Sequence, residues 1–292
     1  MRKITVNLIR NTIAQLCMEA NFKLRPDVFQ ALKTAYKKEK SRRAKDIIRA
    51  IIYNADIVKR ECLAICQDTG LPVIFIELGQ DVQIIGGFLG EAINKGVQSG
   101  YKQAYLRNSI ICDPIKRGKP GFMPAVIHYE LVPGKNLKLT VLPKGFGCEN
   151  KAQVKMFKPT IDLQQIKRFI VDVVKNAGPD ACPPFVVGVG IGGTQDYACL
   201  LAKKALLRPL APPHPWPSPH RGEGRGEGEY RIRVLEQDLL KAINRLNIGP
   251  MGLGGRTTAL AVNIETYPTH IAGLPVCVNI SCHALRNAQT VI

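Results

Sequence analysis

Three cysteines stand next to residues that suggest a chemical role for the thiol. Cys66 precedes "QDTG", Cys182 precedes "PPFVV" and Cys282 follows "VNIS". Each lies where a strand pattern meets a loop, and binding residues concentrate at such junctions. Because the three are far apart in sequence, a local ferredoxin-type motif is excluded and any shared metal centre must be assembled by the tertiary fold. The alternative is that they are buried thiols that only pack.

His270 is the histidine with the most informative position. It lies in "TYPTHIAGLPVCVNISC", just before the strand that ends at Cys282. We therefore expect His270 to reach whatever that cysteine touches. A single histidine is more often a core or surface residue, so that interpretation stays open.

Two glycine-rich stretches resemble each other, "GVGIGGTQD" at 188–196 and "GPMGLGGRTTA" at 249–259. The first contains GxGxxG between a strand pattern and a helix pattern, where backbone N–H groups can hold an anion. A dinucleotide site also needs an acidic residue about 20 positions later, and that region is rich in proline instead. Two interpretations remain: tight turns that pack together, or two anion-binding nests on one cleft.

The elements that must position these residues follow an α/β pattern. Residues 1–62 are predicted to be helical, and from about residue 70 short apolar strands alternate with helices. We expect a single domain over 1–292. Residues 212–229 contain five prolines and four glycines without apolar periodicity, which predicts a disordered inserted loop.

Composition excludes several classes of protein. The net charge of +18 comes from basic residues spread along the chain, without the aromatic interleaving of a nucleic-acid site. This charge favours small anionic substrates. No apolar run reaches the length of a membrane span and no signal-peptide cleavage site follows the start, so a cytoplasmic protein is expected. Nine cysteines without a CxxC pair fit a reducing compartment.

Five stretches together resemble a known family. They are "CQDTGLPVIFIELG", "AVIHYELVPG", "CPPFVVGVGIGGTQDYACLLAKKALLR", "IGPMGLGGRTTALAVNIE" and "LPVCVNISC". In this order they are similar to the alpha subunit of iron-sulfur class I fumarate hydratases and of the related L-tartrate dehydratases. The resemblance covers most of residues 1–285 and implies the α/β fold of an Fe-S hydro-lyase alpha subunit.

The resemblance also implies a cofactor. Members of the family hold a [4Fe-4S] cluster with only three cysteines, which match Cys66, Cys182 and Cys282. The fourth iron is then open to substrate and can act as a Lewis acid on a carboxylate or hydroxyl group.

The implied reaction is the reversible hydration of fumarate to L-malate, a step of the tricarboxylic acid cycle. By motif match, Asp68 is the proton-transfer group, and Gln67, Arg107 and His270 bind the dicarboxylate substrate. The alternative within the family is an L-tartrate or other hydroxy-dicarboxylate dehydratase.

The family also implies a partner. A second domain or a separate beta subunit completes the active site and carries the catalytic base. We therefore expect this chain to be inactive alone and to form a heterotetramer of two alpha and two beta subunits.

Two stretches depart from the family pattern. "GKPGFMPA" at 118–125 stands where relatives have "NTGDNTPA", and "KGFGC" at 144–148 stands where they have "KGGGS". Phe146 thus takes a glycine position near the substrate, and Cys148 replaces a serine. These departures motivate a third hypothesis, a catalytically degenerate homologue that acts as a binding or redox-sensing module.

Overall fold

The structure, a computed structural model, describes residues 1–210 and 225–292. Its helices are α1 Val6–Phe22, α2 Pro26–Lys38, α3 Arg42–Glu61, α4 Leu89–Gln103, α5 Phe146–Glu149, α6 Leu163–Ala177, α7 Gln195–Leu207 and α8 Arg225–Asn244. Its strands are β1 Arg2–Thr5, β2 Leu71–Gly79, β3 Val82–Ile85, β4 Val126–Val132, β5 Leu137–Lys144, β6 Gln153–Phe157, β7 Phe185–Gly193, β8 Ala259–Thr269, β9 Leu274–Ser281 and β10 Ala288–Val291.

The predicted α/β class is confirmed, with two local differences. Residues 2–5 were predicted to be helical, but they form strand β1, which pairs in parallel with residues 82–85 of β3. Helix α8 begins at Arg225, so residues 225–229 of the proposed loop at 212–229 are helical. Residues 212–224 of that loop lie outside the described residues. Among the described helices, none is long and apolar enough to cross a membrane.

The chain divides into two compact units. Unit 1 comprises Met1–Arg25, Asn54–Phe146 and Arg286–Ile292, and unit 2 comprises Pro26–Tyr53 and Gly147–Leu285. Because each unit is built from separate stretches, neither can be cut from the chain as one piece. The single domain expected over 1–292 stays a prediction.

Unit 1 is organised around a four-stranded sheet in the order β10-β5-β2-β4. Strand β2 runs parallel to β4 and antiparallel to β5. Its buried Ile74 and Ile76 join a core to which α1 and α4 contribute. A Cβ at Gly96 or Gly100 of α4 would lie 2.6 Å or 2.5 Å from a carbonyl oxygen of α1, so these glycines permit the close helix packing.

Unit 2 contains a second four-stranded sheet, in the order β6-β9-β7-β8. Strand β7 is parallel to β8 and antiparallel to β9. One face of the sheet packs against α6 and α8 in the larger core. Ala198 and Ala202 of α7 pack with Cys277 of β9 in a separate cluster. Strand β7 is buried along most of its length, as expected of a central strand.

Candidate functional site

The loop between α3 and β2 fixes the carboxylate of Asp68. Asp68 Oδ1 accepts a hydrogen bond of 3.0 Å from the Gly70 backbone N–H. Asp68 Oδ2 accepts one of 2.8 Å from the Phe146 N–H. Gly70 has φ +76°, and a Cβ there would lie 2.8 Å from the Lys144 nitrogen, so only glycine fits the turn. The carboxylate is therefore oriented by two backbone N–H groups.

Two buried side chains donate hydrogen bonds to the backbone of this loop, and neither was predicted as a site residue. Arg286 Nη2 donates to the Asp68 carbonyl oxygen at 2.6 Å. The Tyr101 hydroxyl donates to the Thr69 and Gly70 carbonyl oxygens at 2.9 and 3.1 Å. Burial raises the pKa of Tyr101, so its hydroxyl remains a donor at neutral pH.

Arg107 and Gln67 lie on the same loop system as Asp68. The Arg107 N–H donates to Thr69 Oγ1 at 3.1 Å, which ties its backbone to the loop. Arg107 Nη1 donates to the Gln67 carbonyl oxygen at 3.5 Å. Both Gln67 and Arg107 are exposed. Unit 1 thus brings together three of the predicted site residues and leaves a cation accessible to an anionic substrate.

Cys182 and Cys282 lie at one end of the unit 2 sheet. Strands β7 and β9 are antiparallel, with Val186 opposite Ser281, so the residues just before β7 and just after β9 are neighbours. The backbone N–H of His283 donates to the Cys182 carbonyl oxygen at 3.4 Å, and its Nδ1 lies 3.1 Å from the same oxygen. His283 was missed by sequence reasoning, although its place directly after a predicted ligand was an available signal.

The backbone of Cys182 is strained. It has φ 55° and ψ 65°, the left-handed conformation that L-residues with a Cβ avoid. Such outliers persist where the surrounding structure enforces them and cluster at functional sites. Cys62 and four other described residues that are not glycine also have a positive φ, so the backbone conformation alone does not mark Cys182 as functional.

The donor chemistry of the predicted cysteines suits an iron-sulfur cluster. Cys66, Cys182 and Cys282 are partly buried, and none of the nine cysteines, all within the described ranges, forms a disulfide. Cysteine thiolates are the ligands of such clusters. Cys66 belongs to unit 1 and the other two to unit 2. Across residues 1–210 and 225–292, no group of three or more His, Cys, Asp or Glu side chains is arranged to hold a metal ion.

His270 does not lie near Cys282 within unit 2, contrary to our expectation. It precedes β9 and Cys282 follows it, and a strand of 8 residues is about 26 Å long. His270 is exposed and its Nδ1 accepts the Ala272 N–H at 3.2 Å, which closes the turn between β8 and β9. Its contacts in this chain are those of a turn residue.

The two glycine-rich stretches do not form one cleft and do not pack together. "GIGG" (190–193) lies at the end of β7, whereas "GLGG" (252–255) precedes the start of β8. Because these strands are parallel, the two stretches lie at opposite ends of the sheet. A Cβ at Gly190 would lie 2.0 Å from the Ala198 carbonyl oxygen, so this glycine serves helix packing. Both interpretations of the pair were therefore wrong.

Comparison with known proteins gives consistent matches. A family model described as Fumarate hydratase (Fumerase) matches residues 10–291. A Methanocaldococcus jannaschii protein with the provisional name L(+)-tartrate dehydratase subunit alpha is 38% identical, over 96% of this chain and 96% of that protein. The L(+)-tartrate dehydratase subunit alpha of Escherichia coli O157:H7 is 28% identical, over 98% of this chain and 91% of its own length. The similarity therefore extends over both units.

Proposed function

Since this chain belongs to the fumarate hydratase family, we propose that it is the alpha subunit of a hydro-lyase that acts on a four-carbon dicarboxylate. The observation that carries the proposal is the fixed carboxylate of Asp68, with Gln67 and Arg107 beside it on one loop system. An oriented carboxylate next to an exposed cation is the arrangement needed to transfer a proton on a substrate that is itself an anion.

Each of these groups has a distinct role. The Arg107 guanidinium binds a substrate carboxylate, and the Gln67 amide orients the substrate by hydrogen bonds. Asp68 transfers the proton that accompanies movement of the hydroxyl group. Its two backbone N–H partners hold the oxygens in place, so no reorganisation is needed during the reaction.

Cys66, Cys182 and Cys282 are proposed to hold a [4Fe-4S] cluster. When bound, the cluster supplies an iron without a protein ligand, which polarises an oxygen of the substrate. Replacing each cysteine by serine should lower the iron content and the visible absorbance, whereas Cys199→Ser should leave both unchanged. Equal iron content in all four variants would contradict the ligand assignment. Strand β9 separates His270 from Cys282 within unit 2. The role of His270 in binding a substrate carboxylate rests on the family match and stays a proposal.

The names of the relatives support a partner for this chain. Proteins similar to it over nearly their whole length are called subunit alpha. We propose that a beta subunit completes the site and supplies the catalytic base, and that two chains of each kind assemble. The chain alone should then bind substrate weakly and show no turnover.

Two substrates are to be tested side by side. The relatives' names favour dehydration of L-tartrate to oxaloacetate, and the family model favours hydration of fumarate to L-malate. The experiment is anaerobic purification with a candidate beta subunit, followed by iron analysis and assay of both reactions. Turnover of either substrate supports the hydro-lyase, and Asp68→Asn should abolish it without loss of iron. Iron without turnover of either dicarboxylate would instead favour a degenerate homologue.

A further inference from the structure

Strand β4, at one edge of the unit 1 sheet, carries exposed apolar side chains of the kind found on strands that pair with another chain. Strand β4 ends the sheet order within the described residues. Its Val126, Tyr129 and Leu131 are 42%, 53% and 68% exposed. Edge strands of monomeric proteins usually carry lysine, proline or a bulge that blocks further pairing. Strand β4, "VIHYELV", contains neither residue, and its register with β2 runs without a shift.

We propose that β4 pairs in antiparallel orientation with β4 of a second copy of this chain, with Tyr129 opposite Tyr129 on the two-fold axis. The sheets of the two copies then form one continuous sheet. In this register Ile127 faces Leu131 of the second copy, and Val126 faces Val132. His128 faces Glu130 of the second copy. Each apolar residue of β4 therefore faces an apolar residue, and each imidazole faces a carboxylate.

The register follows from the symmetry. A two-fold axis perpendicular to the sheet places the same face of β4 on the same side in both copies. Directly opposite residues of antiparallel strands also point to the same side, so the axis must lie midway between one residue and its own copy. If that residue were Glu130, two carboxylates would face each other, which is unfavourable. If it were His128, two imidazoles would face each other and Val126 would face Glu130. Among these central registers, only the one centred on Tyr129 pairs His128 with a carboxylate.

The local structure prepares the strand for this pairing. The His128 ring stacks on Phe75 of β2, with ring centroids 5.2 Å apart and an interplanar angle of 25°. The stacking holds the imidazole on one face of the sheet. Pro124 and Pro133 flank the strand, so pairing through N–H groups is confined to the residues between them.

Cross-linking of the full chain tests the register directly. In Tyr129→Cys the two introduced thiols should face each other, so mild oxidation should give a covalent dimer with a 129–129 disulfide, identified by mass spectrometry after proteolysis. Tyr105→Cys is the matched control, because Tyr105 is 96% exposed and lies outside β4. Absence of the 129–129 peptide, or equal cross-linking of the control, would overturn the proposal.

Charge reversal tests the pairing in the unmodified assembly. Sedimentation of the wild-type chain should show a dimer. Glu130→Lys should raise the dissociation constant of the dimer about tenfold, because the two symmetry-related pairs of His128 with Glu130 are lost. The double variant His128→Glu/Glu130→Lys should restore dimerisation. A monomeric wild type, failure of the rescue in folded protein, or cross-linking of position 129 to a beta subunit in place of a second copy would contradict the inference.

Discussion

The guanidinium of Arg286 donates a 2.6 Å hydrogen bond to the backbone carbonyl oxygen of Asp68, which lies 218 residues earlier in the chain. Its Nε donates to Asn21 Oδ1 at 3.2 Å, and Asn21 Nδ2 donates to the Cys17 carbonyl oxygen at 2.9 Å. Both Arg286 and Asn21 are buried. A continuous series of hydrogen bonds therefore joins helix α1 to the loop that carries the proposed proton-transfer group.

Arg286→Met should destabilise the chain by about 2–3 kcal/mol, because it leaves buried acceptors without their donor. The free energy of unfolding, from urea titration of the chain without partner, measures the change. Arg49→Met is the control, since Arg49 and its partner Asp46 are both mostly exposed on α3. The control should change stability by less than about 0.5 kcal/mol. Equal losses in the two variants would contradict the role given to Arg286.

Gly190→Ala should destabilise unit 2 strongly. The new Cβ would lie 2.0 Å from the Ala198 carbonyl oxygen and 2.7 Å from the Ala202 nitrogen, and both are backbone atoms of α7. The helix must move away from the sheet, so we expect a loss of about 3 kcal/mol or insoluble protein.

Gly273→Ala is the matched control for Gly190→Ala. Its Cβ would meet only the end of the Met156 side chain at 3.7 Å, an ordinary contact. Thermal unfolding of both variants decides the matter. A Gly190→Ala protein as stable as Gly273→Ala would show that close packing of α7 is not the reason for this glycine.

The parts of the site that could be predicted were those carried by contiguous motifs. Gln67 and Asp68 follow one another in such a motif, and the structure places Arg107 beside them. Arg286 could not be predicted, because no local pattern marks a side chain whose partner lies 218 residues away. Its contact depends on the tertiary fold alone.

The expectations for His270 and for the two glycine-rich stretches were wrong because distance along the sequence does not give distance across the sheet. His270 and Cys282 are close in sequence, but a strand separates them and carries them to opposite ends of the sheet. The two glycine-rich stretches look equivalent, yet one follows its strand and the other precedes its own. In parallel strands such positions are far apart, so similarity of motif did not imply a common location.

Glu39 should make the stability of unit 2 depend on pH. Burial raises the pKa of Glu39. Hydrogen bonds from the N–H groups of Ser41, Arg256 and Lys40 and the charge of Arg256 lower it by more, so the pKa lies below its usual value. The ionised carboxylate therefore stabilises the fold above about pH 4.3, and this contribution is lost as the pH falls through the lowered pKa.

Glu39→Gln should therefore lower the free energy of unfolding by about 2 kcal/mol at pH 7. The difference from wild type should shrink as the pH falls below about 4.3 and through the lowered pKa of Glu39, and it should vanish only below that pKa, where both side chains are neutral. Urea unfolding at several pH values measures it. Glu19→Gln, whose side chain is 46% exposed and pairs with Lys23, should behave like wild type throughout. A difference that is independent of pH would refute the charge-based explanation.

The backbone N–H of Phe146 offers the sharpest test of how Asp68 is held, given the proposed hydro-lyase activity. Phe146 is the first residue of α5, where proline is tolerated because the helix does not use that N–H. Phe146→Pro should therefore keep α5 but remove the 2.8 Å hydrogen bond to Asp68 Oδ2. Freed rotation of the carboxylate should lower kcat about tenfold or more, with a smaller change in KM.

Phe146→Gly is the matched variant, because it removes the half-exposed ring but retains the N–H donor. If the ring restricts the dicarboxylate, this variant should be more active than wild type, and the proline variant less active. Steady-state kinetics of the assembled enzyme, with iron content measured in each sample, separates the two effects. Equal kcat in the glycine and proline variants would mean that the hydrogen bond does not position Asp68, because the two substitutions differ chiefly in that donor.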